Sequence, residues 1–214
     1  MAELYLIRHG KTYGNTLGRY IGTTDEELCE EGREALKRLK AGRDFAAARP
    51  DVVYASPLKR CVQTAEILFP EIPVKLVPDL RECDFGAFEN KNYKELSGNA
   101  AYQAWIDSGG TLPFPGGESR EAFQERCRKG FTEVLEDIRG QGGQTCAALV
   151  VHGGTIMSIL SAYPSPEKSG GGENFYRWQV KNGEGFRVRL QETDKGGIRL
   201  YEISHIGADS GVSA

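Results

Sequence analysis

The sequence predicts an α/β domain of three layers (α/β/α), a mostly parallel sheet between helices with antiparallel strands at an edge. Three observations predict it. Short apolar runs alternate with segments of helical periodicity along most of the chain. Two of those runs, Leu4–Ile7 and Leu149–Val151, lead into a histidine followed by glycine. The 214 residues, 39% hydrophobic and 27% charged, suffice for one buried core.

The first strand, Leu4-Tyr5-Leu6-Ile7, runs into Arg8-His9-Gly10, where the glycine breaks it. A polar, glycine-dotted loop follows over residues 11–28. Glu30 to Ala48 is expected to be a helix, with Leu36 and Leu39 facing inward. Asp51 to Ser56 reads as the second strand. Ser56-Pro57 reads as a helix start, a capping hydroxyl ahead of a proline at the first position. Leu58, Val62, Ala65 and Leu68 give that helix its apolar face, and a short strand follows at Val74–Val77.

Residues 79–117 lack a strong period and are read as an excursion over the mouth of a crevice, partly helical at Tyr93–Leu96 and Ala100–Ile106. Glu118 to Arg139 is a long amphipathic helix. Phe123, Cys127, Phe131, Leu135 and Ile138 recur at helical spacing, and Glu118 and Glu121 suit the positive end of its dipole. Then come the strand Ala147–Val151, a helix over Thr155–Ala162 and a glycine-rich loop at Ser169–Gly172. Asn174–Val180, Glu184–Leu190 and Ile198–Ser204 are expected as strands of an edge meander or hairpin. Residues 1–206 thus form one domain, with 207–214 a flexible tail.

A net charge of -3 offers no bulk attraction to nucleic acid or acidic membranes. No apolar run reaches the length of a membrane span, and the N-terminus lacks signal-peptide regions, so a cytoplasmic location is expected. Cys29, Cys61, Cys83, Cys127 and Cys146 are odd in number and show no paired or metal-ligand spacing. They are read as reduced core residues, without a disulfide framework or zinc site.

In open α/β sheets ligands bind at the carboxyl ends of strands, where Arg8, His9 and His152 fall. An imidazole beside a guanidinium suits phosphoryl transfer: the nitrogen attacks phosphorus while the cation holds the anionic oxygens. Arg60 lies in the first turn of its helix, a place that favours anions. The departing alkoxide needs a proton donor. Glu82, Asp84 and Glu89 all offer carboxyls, and the residues alone do not choose among them. The third histidine, His205, belongs to a polar segment and is read as a surface residue.

Four motifs in order carry a resemblance: Arg8-His9-Gly10; Ser56-Pro57-Leu58-Lys59-Arg60 with Thr64-Ala65; Leu80-Arg81-Glu82 with Phe85-Gly86; and Val151-His152-Gly153-Gly154. Together they resemble the histidine phosphatase superfamily, in its phosphoglycerate-mutase-like branch. Pro115-Gly116-Gly117-Glu118-Ser119 matches a common element of the same family. The resemblance implies a phosphoglycerate-mutase-like fold, with His9 as the phosphorylated nucleophile and Glu82 as proton donor. It further implies that His152, protonated, stabilises the transferring group, and that Arg8, Arg60, Asn15, Thr12 and Gly153 bind phosphate. No metal and no cofactor are implied, because the arginines neutralise the charge.

Three departures bear on substrate and loop shape: Lys11 stands where many members carry glutamate, Phe88 replaces a tryptophan, and Asn90 replaces a glycine. The loop Arg19–Leu28 is similar to the early loop of alpha-ribazole phosphatases of cobalamin synthesis. The expected function is a phosphomonoesterase acting on a small-molecule phosphate ester, with alpha-ribazole 5'-phosphate as the named candidate. Two alternatives stand beside it, a cofactor-dependent phosphoglycerate mutase and a catalytically silent phosphate-binding module. The compact chain with its small polar tail favours the phosphatase over the mutase. Tyr20, Tyr93, Tyr102, Trp105 and Phe114 are either an aromatic wall for the leaving group or the excursion's own small core. The expected partner is the substrate alone, with no nucleic acid or membrane, in a monomer or a homodimer paired across the terminal strands.

Overall fold

A computed structural model describes residues 2–42, 45, 47–142, 145–163, 175–193 and 197–207. Its centre is a six-stranded sheet in the order β3-β2-β4-β1-β5-β6. The strands are β1 (Ala2–Arg8), β2 (Val52–Ala55), β3 (Val74–Leu76), β4 (Cys146–Val151), β5 (Gly185–Glu192) and β6 (Ile198–Ile206). The first four are mutually parallel, whereas β5 runs antiparallel to β1, and β6 to β5. This is the mostly parallel sheet with an antiparallel edge that the sequence predicts.

Strand alternation distributes the core between two faces. Leu4, Leu6 and Leu149 point to one side, where Phe131, Leu135 and Ile156 meet them from α5 (Arg120–Gly140) and α6 (Gly153–Ala162). Tyr5, Ile7 and Val150 point to the other, against Leu36, Cys61 and Ala65 of α2 (Glu30–Ala41) and α3 (Lys59–Leu68). Two short helices also occur, α1 (Tyr13–Thr16) in the first loop and α4 (Ala100–Asp107) in the excursion. Among the described residues no helix is long and apolar enough to cross a membrane.

Several boundaries differ from expectation. Helix α2 ends at Ala41, one residue before Gly42. Ser56 does not cap α3, because its N–H donates to Val150 O at 3.1 Å and keeps it on the sheet. The helix begins at Lys59 with Leu58 at the cap position. Glu118 lies outside α5, whose cap is Ser119, with Oγ accepting from Ala122 N at 3.1 Å. Strand β3 stops at Leu76, and Tyr93–Leu96 forms turns rather than helix.

The expected strand over 174–180 is instead a 3-10 turn at Phe175–Trp178. The sheet position beside β1 is already filled by β5 (Ala2 opposite Leu190), and Trp178 packs edge-on against Phe186. Asn174, the glycine-rich loop at 169–172 and residues 208–214 lie outside the described residues.

Leu149 is fully buried on the central strand. Leu149→Ala is expected to lower the unfolding free energy by about 2–5 kcal/mol in urea titration. A loss under about 1 kcal/mol would show that the site collapses to fill the cavity.

Candidate active site

The parallel pairing of β1 with β4 sets Arg8 opposite Val151, so the next residue of each strand, His9 and His152, emerges at the same end of the sheet. His9 N donates to Val151 O at 2.9 Å, and the two imidazole centroids stand 5.2 Å apart at 66°. His9 Nδ1 lies 2.7 Å from Gly10 O. A carbonyl only accepts, so Nδ1 carries the proton and Nε2 presents a lone pair. Gly10 is held in turn, its N–H donating to Thr64 Oγ1 at 2.9 Å while that hydroxyl donates to Arg60 O at 2.6 Å. His152 is fully buried, with Nε2 2.8 Å from Ser56 Oγ and 3.5 Å from Cys61 Sγ.

Two guanidinium groups border the imidazoles. Arg8 Nη1 donates to Val180 O at 2.7 Å. Arg60, fully buried, donates from Nη1 to Thr24 O (2.7 Å) and from Nη2 to Gly22 O (2.8 Å) and Ile21 O (3.3 Å). The other face of that loop is stapled by Glu89 Oε1, which accepts from Gly22 N, Thr24 N and Thr24 Oγ1 at 2.7–2.9 Å. Gly22 is required there because a Cβ would stand 1.9 Å from Cys83 O. After this anchoring the Nε atoms of both Arg8 and Arg60 remain buried without a partner among the described residues. Buried unpaired donors are costly, and an anionic oxygen would satisfy them.

Opposite them, Glu82 Oε1 accepts from Cys83 N at 3.0 Å and Oε2 from Gly154 N at 3.1 Å. Burial raises the Glu82 pKa above the ordinary carboxylate value, although these two N–H groups, Arg60 and Arg8 pull it down. Burial, reinforced by Arg60, holds both His9 and His152 well below the usual histidine value, with Arg8 adding to the effect. Among protein groups alone His152 is therefore held neutral, and the expected imidazolium belongs to the state with the transferring group present. Two neighbouring guanidinium charges disfavour a third cation unless an anion arrives with it. Burial likewise pushes the Cys61 thiol up to about 12, leaving it a poor nucleophile.

His9, Arg8, Asn15, Glu82 and Gly154 share the wall of a cavity of ≈ 360 Å³. Its outer part is aromatic, with Tyr20, Phe85, Trp105, Phe114, Phe175 and Tyr176. The excursion aromatics divide between an interior cluster and the cavity wall. Tyr102 stacks behind Trp105 at 6.2 Å and shares a 3.1 Å hydroxyl contact with Tyr20, while Tyr20, Trp105 and Phe114 face the cavity. Tyr93 is 64% exposed and belongs to neither. Arg120 lies over the Phe175 ring at 4.7 Å.

Of the residues singled out in the sequence, His9, Arg8, Asn15 and Glu82 line this cavity. His152 and Arg60 are fully buried off its wall, His152 in ring contact with His9 and Arg60 close enough to act on its charge. Thr12 is fully buried and caps α1, accepting from Asn15 N at 3.3 Å. Gly153 leaves ordinary space, since a Cβ would sit 3.5 Å from the Arg8 guanidinium; at Gly154 a Cβ would come within 2.4 Å of Glu82 Oε1. Gly154 is thus the glycine the carboxyl requires. Lys11 points away into a 2.7 Å pair with Glu31. His205, half exposed, pairs with Glu184 at 3.2 Å, away from the site. Sequence reasoning missed Ser56 and Thr64 as site residues, and Asn182, whose amide donates to His9 O at 3.1 Å. Among the described residues no group of three His, Cys, Asp or Glu side chains is placed to hold a metal ion.

Residues 4–199 match the family profile described as the histidine phosphatase superfamily (branch 1). A metal-independent phosphoserine phosphatase of Arabidopsis thaliana is 31% identical over 167 residues, 74% of this chain and 67% of its own. An adenosylcobalamin/alpha-ribazole phosphatase of Escherichia coli K12 is 30% identical over 167 residues, 75% of this chain and 77% of its own. A 2,3-bisphosphoglycerate-dependent phosphoglycerate mutase of Thermobifida fusca is 37% identical over 134 residues, 58% of this chain and 53% of its own. In fold, the crystal structure of an alpha-ribazole phosphatase from Shigella flexneri aligns with a TM-score of 0.75 at 24% identity, covering 96% of both chains.

The depressed histidines imply acid lability. A base whose folded pKa lies below its unfolded value of 6.5 contributes stability above that pH and loses it as the pH falls towards the folded value. Glu82, with a raised pKa, acts in the opposite sense, so a substitution isolates the histidine contribution. Between about pH 7 and about pH 5.5 the thermal midpoint is expected to fall less for His152→Gln than for the wild type. Equal slopes would mean that His152 titrates normally.

Proposed function

Since the chain belongs to the histidine phosphatase superfamily, branch 1, we propose that it is a phosphomonoesterase working through a phosphohistidine on His9. One observation carries this reading. Two buried guanidinium Nε–H groups without partners border a neutral imidazole whose Nε2 lone pair is free to attack.

In the first step His9 Nε2 forms a bond to phosphorus as the ester P–O bond breaks. The Arg8 and Arg60 N–H groups hold the equatorial oxygens, and His152 beside them gains a proton more readily once the phosphate charge is present. Glu82, kept protonated by burial and the incoming anion, gives its proton to the departing alkoxide. In the second step water attacks phosphorus, passes a proton to Glu82 and releases phosphate, restoring His9. The guanidinium groups supply the charge neutralisation that a metal ion provides elsewhere, so turnover proceeds in the presence of a chelator.

The aromatic outer wall supports a flat, aromatic leaving group. Alpha-ribazole 5'-phosphate has that character, whereas phosphoserine and the phosphoglycerates present small charged bodies. The similarity to an alpha-ribazole phosphatase points the same way.

The test is phosphate release in a chelator from a panel of alpha-ribazole 5'-phosphate, nucleotides, phosphoserine and phosphoglycerates. Alpha-ribazole phosphate is expected to be preferred, with His9→Ala losing at least about 10³-fold. Phosphoglycerate interconversion with little release would make the chain a mutase. Binding without turnover would make it a phosphate-binding module. Glu82→Gln is expected to lose about 10²–10⁴-fold on alkyl esters and far less on p-nitrophenyl phosphate, whose leaving group needs no proton. Trp105→Ala is expected to raise KM about tenfold for aromatic substrates and leave it unchanged for phosphoserine.

A further inference from the structure

We infer that Asn182 is a positioning residue that fixes which side of the Asn15 amide faces the phosphoryl group. This rests on the phosphoryl-transfer reading of the cavity. Asn182 stands in the turn that leads into β5, and its Nδ2 lies 3.1 Å from His9 O and 3.1 Å from Asn15 Oδ1. The His9 carbonyl only accepts, so the atom of Asn182 that meets it is the amide nitrogen. That nitrogen carries two protons and serves both partners.

The Asn15 atom facing it is then the oxygen. A second donor demands the same assignment independently, because Thr12 N also points at Asn15 Oδ1, at 3.2 Å. With the oxygen claimed twice, Asn15 Nδ2 is the half of the amide with no partner among the described residues. Asn15 lies on the cavity wall with Arg8 and His9. It therefore offers N–H donors to an anion, whereas the flipped amide would turn an oxygen towards a phosphate dianion.

The turn that carries Asn182 grips the rest of the motif as well. Gly183 N donates to Arg8 O at 3.0 Å and to His9 O at 3.1 Å, and Val180 O accepts from Arg8 Nη1 at 2.7 Å. One turn thus holds the guanidinium, the backbone of the proposed nucleophile and the amide of the neighbouring loop in a single arrangement.

A double-mutant cycle tests this, using Asn182→Ala, Asn182→Asp, Asn15→Ala and the Asn15→Ala/Asn182→Ala pair. The readouts are KM, kcat, inhibition by inorganic phosphate and the thermal midpoint. Asn182→Ala is expected to raise KM and the phosphate inhibition constant about tenfold, with a smaller change in kcat. Asn182→Asp keeps the shape but cannot donate, and should weaken phosphate further. In the Asn15→Ala background Asn182→Ala should add almost nothing, since the group it orients is gone. Should Asn182→Ala fail to fold, the Asn182→Asp variant in both backgrounds gives the same coupling. An active wild type in which the two substitutions multiply, or in which Asn182→Ala leaves phosphate inhibition unchanged, overturns this inference and leaves the proposed function standing. A wild type that neither hydrolyses esters nor binds phosphate overturns both.

Discussion

The parallel register between β1 and β4 is the constraint on which the site depends. Arg8 opposite Val151 sends both strands out of the sheet at one level, and the next residue of each is a histidine. The 5.2 Å between imidazole centroids is a consequence of strand spacing and not of a flexible loop. A slip of one residue would turn Leu4 and Leu6 out of one core and Tyr5 and Ile7 out of the other, so burial on both faces locks the geometry. Every other group of the site is measured from that fixed pair.

Electrostatics works against this arrangement. Two guanidinium groups, two neutral imidazoles and a carboxyl with a raised pKa are concentrated at the carboxyl end of the sheet, and two buried N–H groups lack partners. The fold tolerates them because backbone carbonyls of Ile21, Gly22, Thr24 and Val180 anchor the guanidinium groups without adding negative charge. A carboxylate anchor would have neutralised the cations and stabilised the protein, at the expense of affinity for an anion. The resulting pre-positioned cationic cradle is what the proposed phosphate-ester chemistry requires.

The excursion shows one set of side chains serving two purposes. Tyr102 and Phe88 fill the interior of the aromatic cluster, and Tyr20, Trp105 and Phe114 present their far sides to the cavity. Edge-to-face packing of Tyr20 on Trp105 and of Phe88 on Phe114 holds the wall in place without a separate scaffold.

By itself the sequence determined the layers of the sheet, the element types over most of the chain and the ends of the strands on which His9 and His152 stand. Those properties follow from apolar periodicity and from glycine after histidine, which are local signals. Local signals failed where a residue's partner is distant in the chain. Ser56 looks like a helix cap from its neighbours, yet its backbone stays on the sheet and its hydroxyl meets His152. Phe175–Trp178 looks like a strand, but the sheet position beside β1 was already taken. The choice of Glu82 over its neighbours came from family resemblance, the motif that holds Gly153 and Gly154 did not say which of the two the carboxyl requires, and Asn182 carried no signal at all. Only tertiary structure decided these, because a hydrogen bond across 172 or 173 residues leaves no trace in the spacing of either segment.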